Sequence, residues 1–409
     1  MIINQKRLLE RLDELAEFGR DKDGGWTRLS FTSEYIKAQN LIRKWMEEVG
    51  MKVRNDAVGN LIGRLEGKCN DLPVVAMGSH IDTVKNGGKL DGNFGVVGGL
   101  EVAQTIAESG LQHKHPVEVI AFVEEEGVRF GYGELGSKAM VGEISRDLLY
   151  TKIDSDGMSI ADSLKALGLT AERIDEARVK PGYYKAYLEM HIEQGAVLES
   201  MGIPVGIVEG ISSCLWLKAC LVGSSDHAGA TPMNMRRDAL VAASEIVLAA
   251  EKIAREEGES SIITIGQLTL QPGSPNVIPG QVEMMFDIRD ISLTRQERTV
   301  EEIKAVSAAI CESRKISCKI KEVSRTDPVI LPDHMKNKVI FAANELGVSY
   351  YRIISGAGHD AQTMAKIADT AMIFAPSKGG LSHCPDEWTD PDDLVTCTKV
   401  LLKSVLKLI

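Results

Sequence analysis

The chain has no basic stretch, no CxxC pair and no apolar run approaching the ~18 residues of a membrane-spanning helix. Lys and Arg total 47 against 58 Asp and Glu, a net charge of −11, so no nucleic-acid partner is expected. The seven cysteines are scattered and odd in number, which argues against a disulfide framework and fits a reducing compartment. Internal repeats and low-complexity tracts are missing too. The N-terminal MIINQKRLLERLDELAEF carries charges throughout its apolar spacing and reads as an amphipathic helix, not a signal peptide. A cytoplasmic protein without membrane contact is expected. What remains is an ordinary globular composition, 44% hydrophobic and 26% charged. At 409 residues it exceeds what a single core serves, so two domains are expected.

Apolar periodicity predicts helices over 4–18 and 33–49. In the second, Tyr35, Ala38, Ile42, Trp45 and Val49 share a face, with Thr32 as N-cap and Gly50 as the C′ residue. Strands are expected over 60–65, 73–77 and 117–123, the last two apolar enough to be buried on both faces, with a helix over 95–109. The stretch 151–182 is polar and mixed, and reads as helical excursions on the surface. A strand over 184–189 follows. Beyond 207–210 the order becomes strand 215–222, helix 237–255, strands 261–270 and 282–288, helix 295–313 and strand 317–323. That β-α-β-β-α-β order is the ferredoxin-like arrangement. The expected fold is α/β: a mixed-sheet α/β/α catalytic domain over 1–208 plus 327–409, interrupted by a ferredoxin-like insert over 209–326.

Five polar clusters end apolar runs between residues 78 and 385: Gly78-Ser79-His80-Ile81-Asp82, Asp91-Gly92-Asn93, Glu124-Glu125-Glu126-Gly127, His191-Ile192-Glu193-Gln194-Gly195 and Ser382-His383-Cys384-Pro385. An α/β enzyme gathers ligands for a two-metal hydrolytic site in this way, from the ends of different strands. His80 is a candidate ligand, with Asp82 two residues on to accept its other ring N–H. Asp91 is a candidate bridge between two metals, or merely a helix cap. Adjacent side chains diverge, so of the three glutamates Glu126 is the candidate ligand and Glu125 the candidate general base. Read singly, His191 and His383 are equally structural. His113 and His115, in an HKHP loop, are expected in solvent, and His334 at a helix start. In the insert, His227, Asn276 and Arg289 offer an imidazole, an amide and a guanidinium, which suit an anionic substrate.

These segments resemble the amidase/carbamoylase branch of the dinuclear metallopeptidase superfamily, which also holds aminoacylase and carboxypeptidase G. The resemblance runs nearly end to end. It includes Thr27-Arg28-Leu29-Ser30-Phe31-Thr32, Asn86-Gly87-Gly88, the EEEG-x-RF run ending at Phe130, His191-Ile192-Glu193-Gln194-Gly195, His227-Ala228-Gly229-Ala230-Thr231-Pro232-Met233 and Gly356-Ala357-Gly358-His359-Asp360. It implies one divalent ion on His80 and His191, another on Glu126 and His383, and Asp91 between them. The ions would be zinc, manganese, cobalt or nickel. It implies Glu125 as the base, with Gln194, His227, Asn276, Arg289 and Gly358 on the substrate, and His227 also stabilising the oxyanion. It implies an insert that acts as lid and homodimer interface, with His227 and Asn276 reaching the partner's site. His359 is expected to be structural.

The activity implied is hydrolysis of the ureido C–N bond of N-carbamoyl-L-amino acids to the amino acid, ammonia and carbon dioxide. Allantoate amidohydrolase and β-ureidopropionase are the near alternatives. A dipeptidase or aminoacylase is further off, and a non-catalytic binding protein furthest. Allantoate enzymes typically carry a glutamine where Cys214 stands, which favours the simpler carbamoyl substrate.

Overall fold

A computed structural model describes residues 1–258 and 260–409. Two compact units emerge: Met1–Glu209 with Leu331–Ile353 and His359–Ile409, and Gly210–Ile330 with Ile354–Gly358. The short piece Ile354–Gly358 therefore groups with the insert, not with the C-terminal residues on either side of it.

The strands are, in chain order, β1 (Lys52–Asn55), β2 (Leu61–Leu65), β3 (Val74–His80), β4 (Val117–Phe122), β5 (Tyr184–Ile192) and β6 (Val205–Ile211). The second unit adds β7 (Ser213–Val222), β8 (Ile262–Gln271), β9 (Gln281–Asp290) and β10 (Ser317–Arg325). The chain then forms β11 (Val329–Ile330), β12 (Tyr350–Ser355) and β13 (Asp369–Ala375).

The larger sheet runs β1-β2-β4-β3-β5-β13-β6-β11, with β12 also on β6. Its centre is parallel: β3 lies between β4 and β5, and β13 runs beside β5. Every residue of β3 and β4 is buried, Glu118 included, as their largely apolar runs require when helices cover both faces. Register aligns His80 with Phe122, and His191 with Phe374. The carboxyl ends of β3, β4, β5 and β13 thus lie along one edge. The helix Ser33–Glu48 starts as its sequence predicts: Thr32 Oγ1 accepts the Tyr35 N–H, and Tyr35, Ala38, Ile42 and Trp45 are buried.

In the second unit the sheet order is β10-β7-β9-β8, all antiparallel. Side chains alternate strictly on β9, where Val282, Met284, Phe286 and Ile288 are buried. Leu215, Leu217, Ala219 and Leu221 of β7 join them. Helices Ala239–Glu257 and Leu293–Ser313 contribute Ile246 and Ile303 to the same core. The opposite face carries the other half of each strand, including Cys214, Trp216, Asp287 and Arg289.

The expectation of solvent-exposed histidines fails at the HKHP loop: His113 is buried and His115 half-buried, their Nδ1 atoms satisfied at 2.7 Å by the carbonyls of His115 and Pro73. No helix among the described residues is long and apolar enough to cross a membrane.

Candidate metal centre

Three imidazoles converge on one carboxylate. Asp91, 4% exposed, precedes the helix Asn93–Glu108. Its Oδ1 lies 3.3 Å from His80 Nε2 and 3.1 Å from His191 Nε2. Its Oδ2 lies 3.1 Å from His383 Nε2. The two oxygens therefore serve two different donor groups. Gly92 makes the approach possible: its φ is +65°, and a Cβ there would lie 2.5 Å from the His80 ring.

The ring hydrogen bonds say what the centre needs. His80 Nδ1 meets the Asp82 carbonyl at 3.0 Å, and His191 Nδ1 meets the Ile192 carbonyl at 2.9 Å. Carbonyls only accept, so each Nδ1 carries a proton and a neutral ring keeps its lone pair at Nε2, beside Asp91; that of His191 also accepts the Gly92 N–H at 3.1 Å. Lone pairs of nitrogen and carboxylate oxygen at this distance repel. A proton or a cation must lie between them. Burial would lower His80, but Glu125, Asp91 and Asp82 hold it well above the usual imidazole range. Burial would raise Asp91, but His191, His383 and His80 hold it well below.

The glutamates complete the set. Glu126 Oε1 is buried, accepts no hydrogen bond and stands 3.5 Å from His383 Nε2. Glu125 Oε2 stands 3.7 Å from His80 Nε2. Burial drives Glu125 well above the usual carboxylate range, against the pull of His80, and lifts Glu126 to about 7. Three groups of side chains could each hold an ion: His80, Asp91 and His191; Asp91, Glu126 and His383; His80, Glu125 and Glu126. An orphaned buried oxygen and facing lone pairs are what a pair of divalent ions would satisfy. Gln194 donates from Nε2 to Asp91 Oδ2 at 2.8 Å. Glu124, Gln194 and His383 have φ of 54°, 60° and 57°, a left-handed conformation uncommon outside glycine that clusters at functional sites.

The second unit holds its candidates in two places. Arg289 Nε and Nη2 fork onto Asp287 at 2.8 and 2.9 Å, and Nη1 donates to the Gly356 carbonyl at 2.7 Å, two residues before Gly358. Cys214 is the cross-strand partner of Arg289. His227 and Asn276 lie together: Ala228 N donates to the Asn276 carbonyl at 3.0 Å. His227 Nδ1 accepts the N–H groups of Gly229 and Ala230, so the ring proton sits on Nε2, which can donate.

The sequence profile of peptidase family M20/M25/M40 matches residues 76–407. The chain belongs to this family. N-carbamoyl-L-amino acid amidohydrolase of Geobacillus stearothermophilus is 42% identical over 407 residues, covering 100% of this chain and 99% of that protein. Allantoate amidohydrolase of Escherichia coli (strain K12) is 37% identical over 393 residues, covering 96% and 95%. The crystal structure of a hydantoinase/carbamoylase family amidase from Burkholderia multivorans matches with a TM-score of 0.93 at 32% identity, covering 99% of this chain and 98% of that one. This M20/M25/M40 member is a metal-dependent amidohydrolase.

In the M20/M25/M40 chain the carboxylate of Asp82 does not take the part its spacing suggested. It lies 3.8 Å from His80 Nδ1, and the backbone carbonyl of the same residue makes the bond. The carboxylate accepts the N–H groups of Glu125 and Glu126 at 3.2 and 3.1 Å, so it shapes the glutamate loop. Arg28 escaped the site reading. It is 1% exposed, and its guanidinium binds the carbonyls of Ile81, Leu15 and Phe18 and the Asn93 side chain. Burial lowers it to about 10, still charged at neutral pH. His359 packs on His191 with ring centroids 4.5 Å apart. Burial and the neighbouring His191 hold it well below the usual imidazole range.

Proposed function

We propose that this amidohydrolase hydrolyses the ureido C–N bond of N-carbamoyl-L-amino acids, releasing the amino acid, ammonia and carbon dioxide. The observation that carries it is the division of Asp91, one oxygen among His80 and His191 and the other beside His383. His80 and His191 would hold one divalent ion, Glu126 and His383 a second, and Asp91 both. Two such ions supply a polarised carbonyl and an acidified water.

The side chains do the rest. Glu125 accepts a proton from the attacking water on its carboxylate and returns it to the leaving nitrogen. Its raised pKa belongs to the cation-free centre, and dications would bring it down again. Gln194 contacts the substrate beside Asp91. His227 donates from Nε2 to the developing oxyanion. Arg289 and Asn276 hold the α-carboxylate, with Gly358 beside them. Arg289 has five N–H groups and spends three on Asp287 and Gly356, which leaves one on each Nη. The ferredoxin-like insert serves as lid and as the interface of a homodimer. Relatives named for carbamoyl amino acids support this substrate class.

The relative named for allantoate supports a second reading, and Cys214 opposite Arg289 argues against it, since a thiol offers no amide to a second ureido group. Ammonia release from N-carbamoyl-L-methionine, N-carbamoyl-β-alanine and allantoate, measured in parallel on metal-reconstituted protein, decides. Preference for the first supports the proposal. Preference for allantoate replaces it. Silence on all three with ions bound would turn the search to peptide or acyl substrates.

A further inference from the structure

A carboxylate outside all three candidate ligand groups ties the centre together. Glu387 is 4% exposed and lies in the loop that carries Ser382 and His383. Its Oε1 accepts the backbone N–H groups of Leu90 and Asp91 at 2.9 and 3.0 Å. Ser382 Oγ stands between the two acids, 2.9 Å from Glu387 Oε2 and 3.1 Å from Asp91 Oδ2. Gly88 leaves the room: a Cβ there would lie 2.0 Å from the Glu387 carboxyl carbon. Lys89 Nζ lies 5.4 Å from the Trp388 ring centre. The loop 86–91 and the loop 382–388 therefore interlock, although Leu90 and Glu387 are 297 residues apart in sequence.

Packing alone does not explain this acid. A buried carboxylate beside another carboxylate is unfavourable unless its hydrogen bonds have a specific use. Those bonds hold the backbone of Asp91, and the acid belongs to the same loop as His383. We infer that Glu387 is a positioning residue for the second ion: it sets the spacing at which Asp91 Oδ2 and His383 Nε2 meet. This rests on the proposal that Asp91 and His383 share an ion. Groups that orient ligands from behind are typically worth ~10–100-fold in metal affinity.

The test is a manganese titration of chelator-stripped protein, with bound metal counted after equilibrium dialysis and ammonia release assayed alongside. Wild type should take up two ions. Glu387→Ala should bind the first as wild type does and the second about 10–100-fold more weakly. Excess manganese should restore its ammonia release. Glu387→Gln keeps an acceptor for both N–H groups and should recover most of the affinity, which a loss of packing would not predict. A folded Glu387→Ala protein that binds both ions as wild type does would overturn the inference. If Glu387→Ala does not fold, Ser382→Ala takes its place: a weakened second ion supports the inference, and two ions at wild-type affinity overturn it. His383→Ala separates the underlying reading. If that variant keeps both ions, the assignment of His383 fails whatever Glu387 does.

Discussion

Glu125→Gln isolates proton transfer from metal binding. The side chain is 10% exposed, with Oε2 3.7 Å from His80 Nε2, and it is absent from both ligand groups built on Asp91. Glutamine keeps the shape and one acceptor oxygen but cannot carry a proton at neutral pH. The backbone stays anchored through the bonds from Glu125 N to Asp82 and from Glu134 N to the Glu125 carbonyl. The proposed reaction uses Glu125 twice, once to take a proton and once to return it. Loss of a general acid–base typically costs ~10²- to 10⁴-fold. At about 1.36 kcal/mol per decade this is about 3–5 kcal/mol of barrier. The turnover number should therefore fall by at least about a hundredfold, with the Michaelis constant little changed. Elemental analysis should still find two ions per chain. The metal-free variant should melt no lower than wild type, since burial and the neighbouring Glu126, Asp360 and Glu134 already oppose a charge on Glu125 and a neutral amide loses nothing there. Turnover within tenfold of wild type would refute the role. Loss of an ion would move Glu125 into the ligand set.

Asp91→Asn should behave oppositely: an amide offers one oxygen instead of two, so one ion should be lost, and retention of both would sink the bridging role. Arg289→Ala should raise the Michaelis constant for carboxylated ureido substrates about 10–100-fold, the worth of a lost charge-assisted pair; an unchanged value would remove Arg289 from the pocket. Arg28→Ala strips the partners from three backbone carbonyls. It should cost about 3–5 kcal/mol in denaturant unfolding, and less than about 1 kcal/mol would show that water replaces the guanidinium. Metal removal should make stability depend on pH. Burial raises Glu124 to about 8 and Glu126 to about 7 from 4.5, and the Asp91 hydrogen bond raises His383 to about 9 from 6.5. An acid or a base raised on folding binds protons more tightly folded than unfolded, so stability falls as pH rises, here from about 4.5 to about 9. The melting temperature of stripped protein should decline across that window while the loaded form declines less; parallel profiles would contradict the cation-free picture of the centre.

Much of this was visible in the residue string. His80, the glutamate run and His191 lie at or just past the ends of strands, and the largely apolar β3 and β4 signal a parallel sheet buried on both faces, which puts its ligands at one edge. Thr32 was legible as a cap because capping depends on near neighbours. Arg28 was not, because its partners are carbonyls, and carbonyls look alike in every residue. Glu387 was hidden for a related reason: its acceptor role is set by Leu90 and Asp91, which no local pattern brings near it. Asp82 shows the limit of spacing arguments. Two residues apart correctly implied a link to His80, but backbone and side chain of one residue compete for the same proton, and only coordinates say which wins.

The place of β13 in the larger sheet has a consequence for biosynthesis. It lies between β5 and β6, which the ribosome makes far earlier. Until β13 emerges, β5 lacks its partner on that side, and a nascent chain must hold a central slot open or fill it wrongly. His383 follows β13 by a few residues. The donors His80, Asp91 and His191 proposed for one ion exist long before that, whereas the group proposed for the second, Asp91, Glu126 and His383, is incomplete until the His383 loop is made. On that assignment full loading, and with it the closing of the sheet's most non-local pairing, waits until β13 and the His383 loop have emerged.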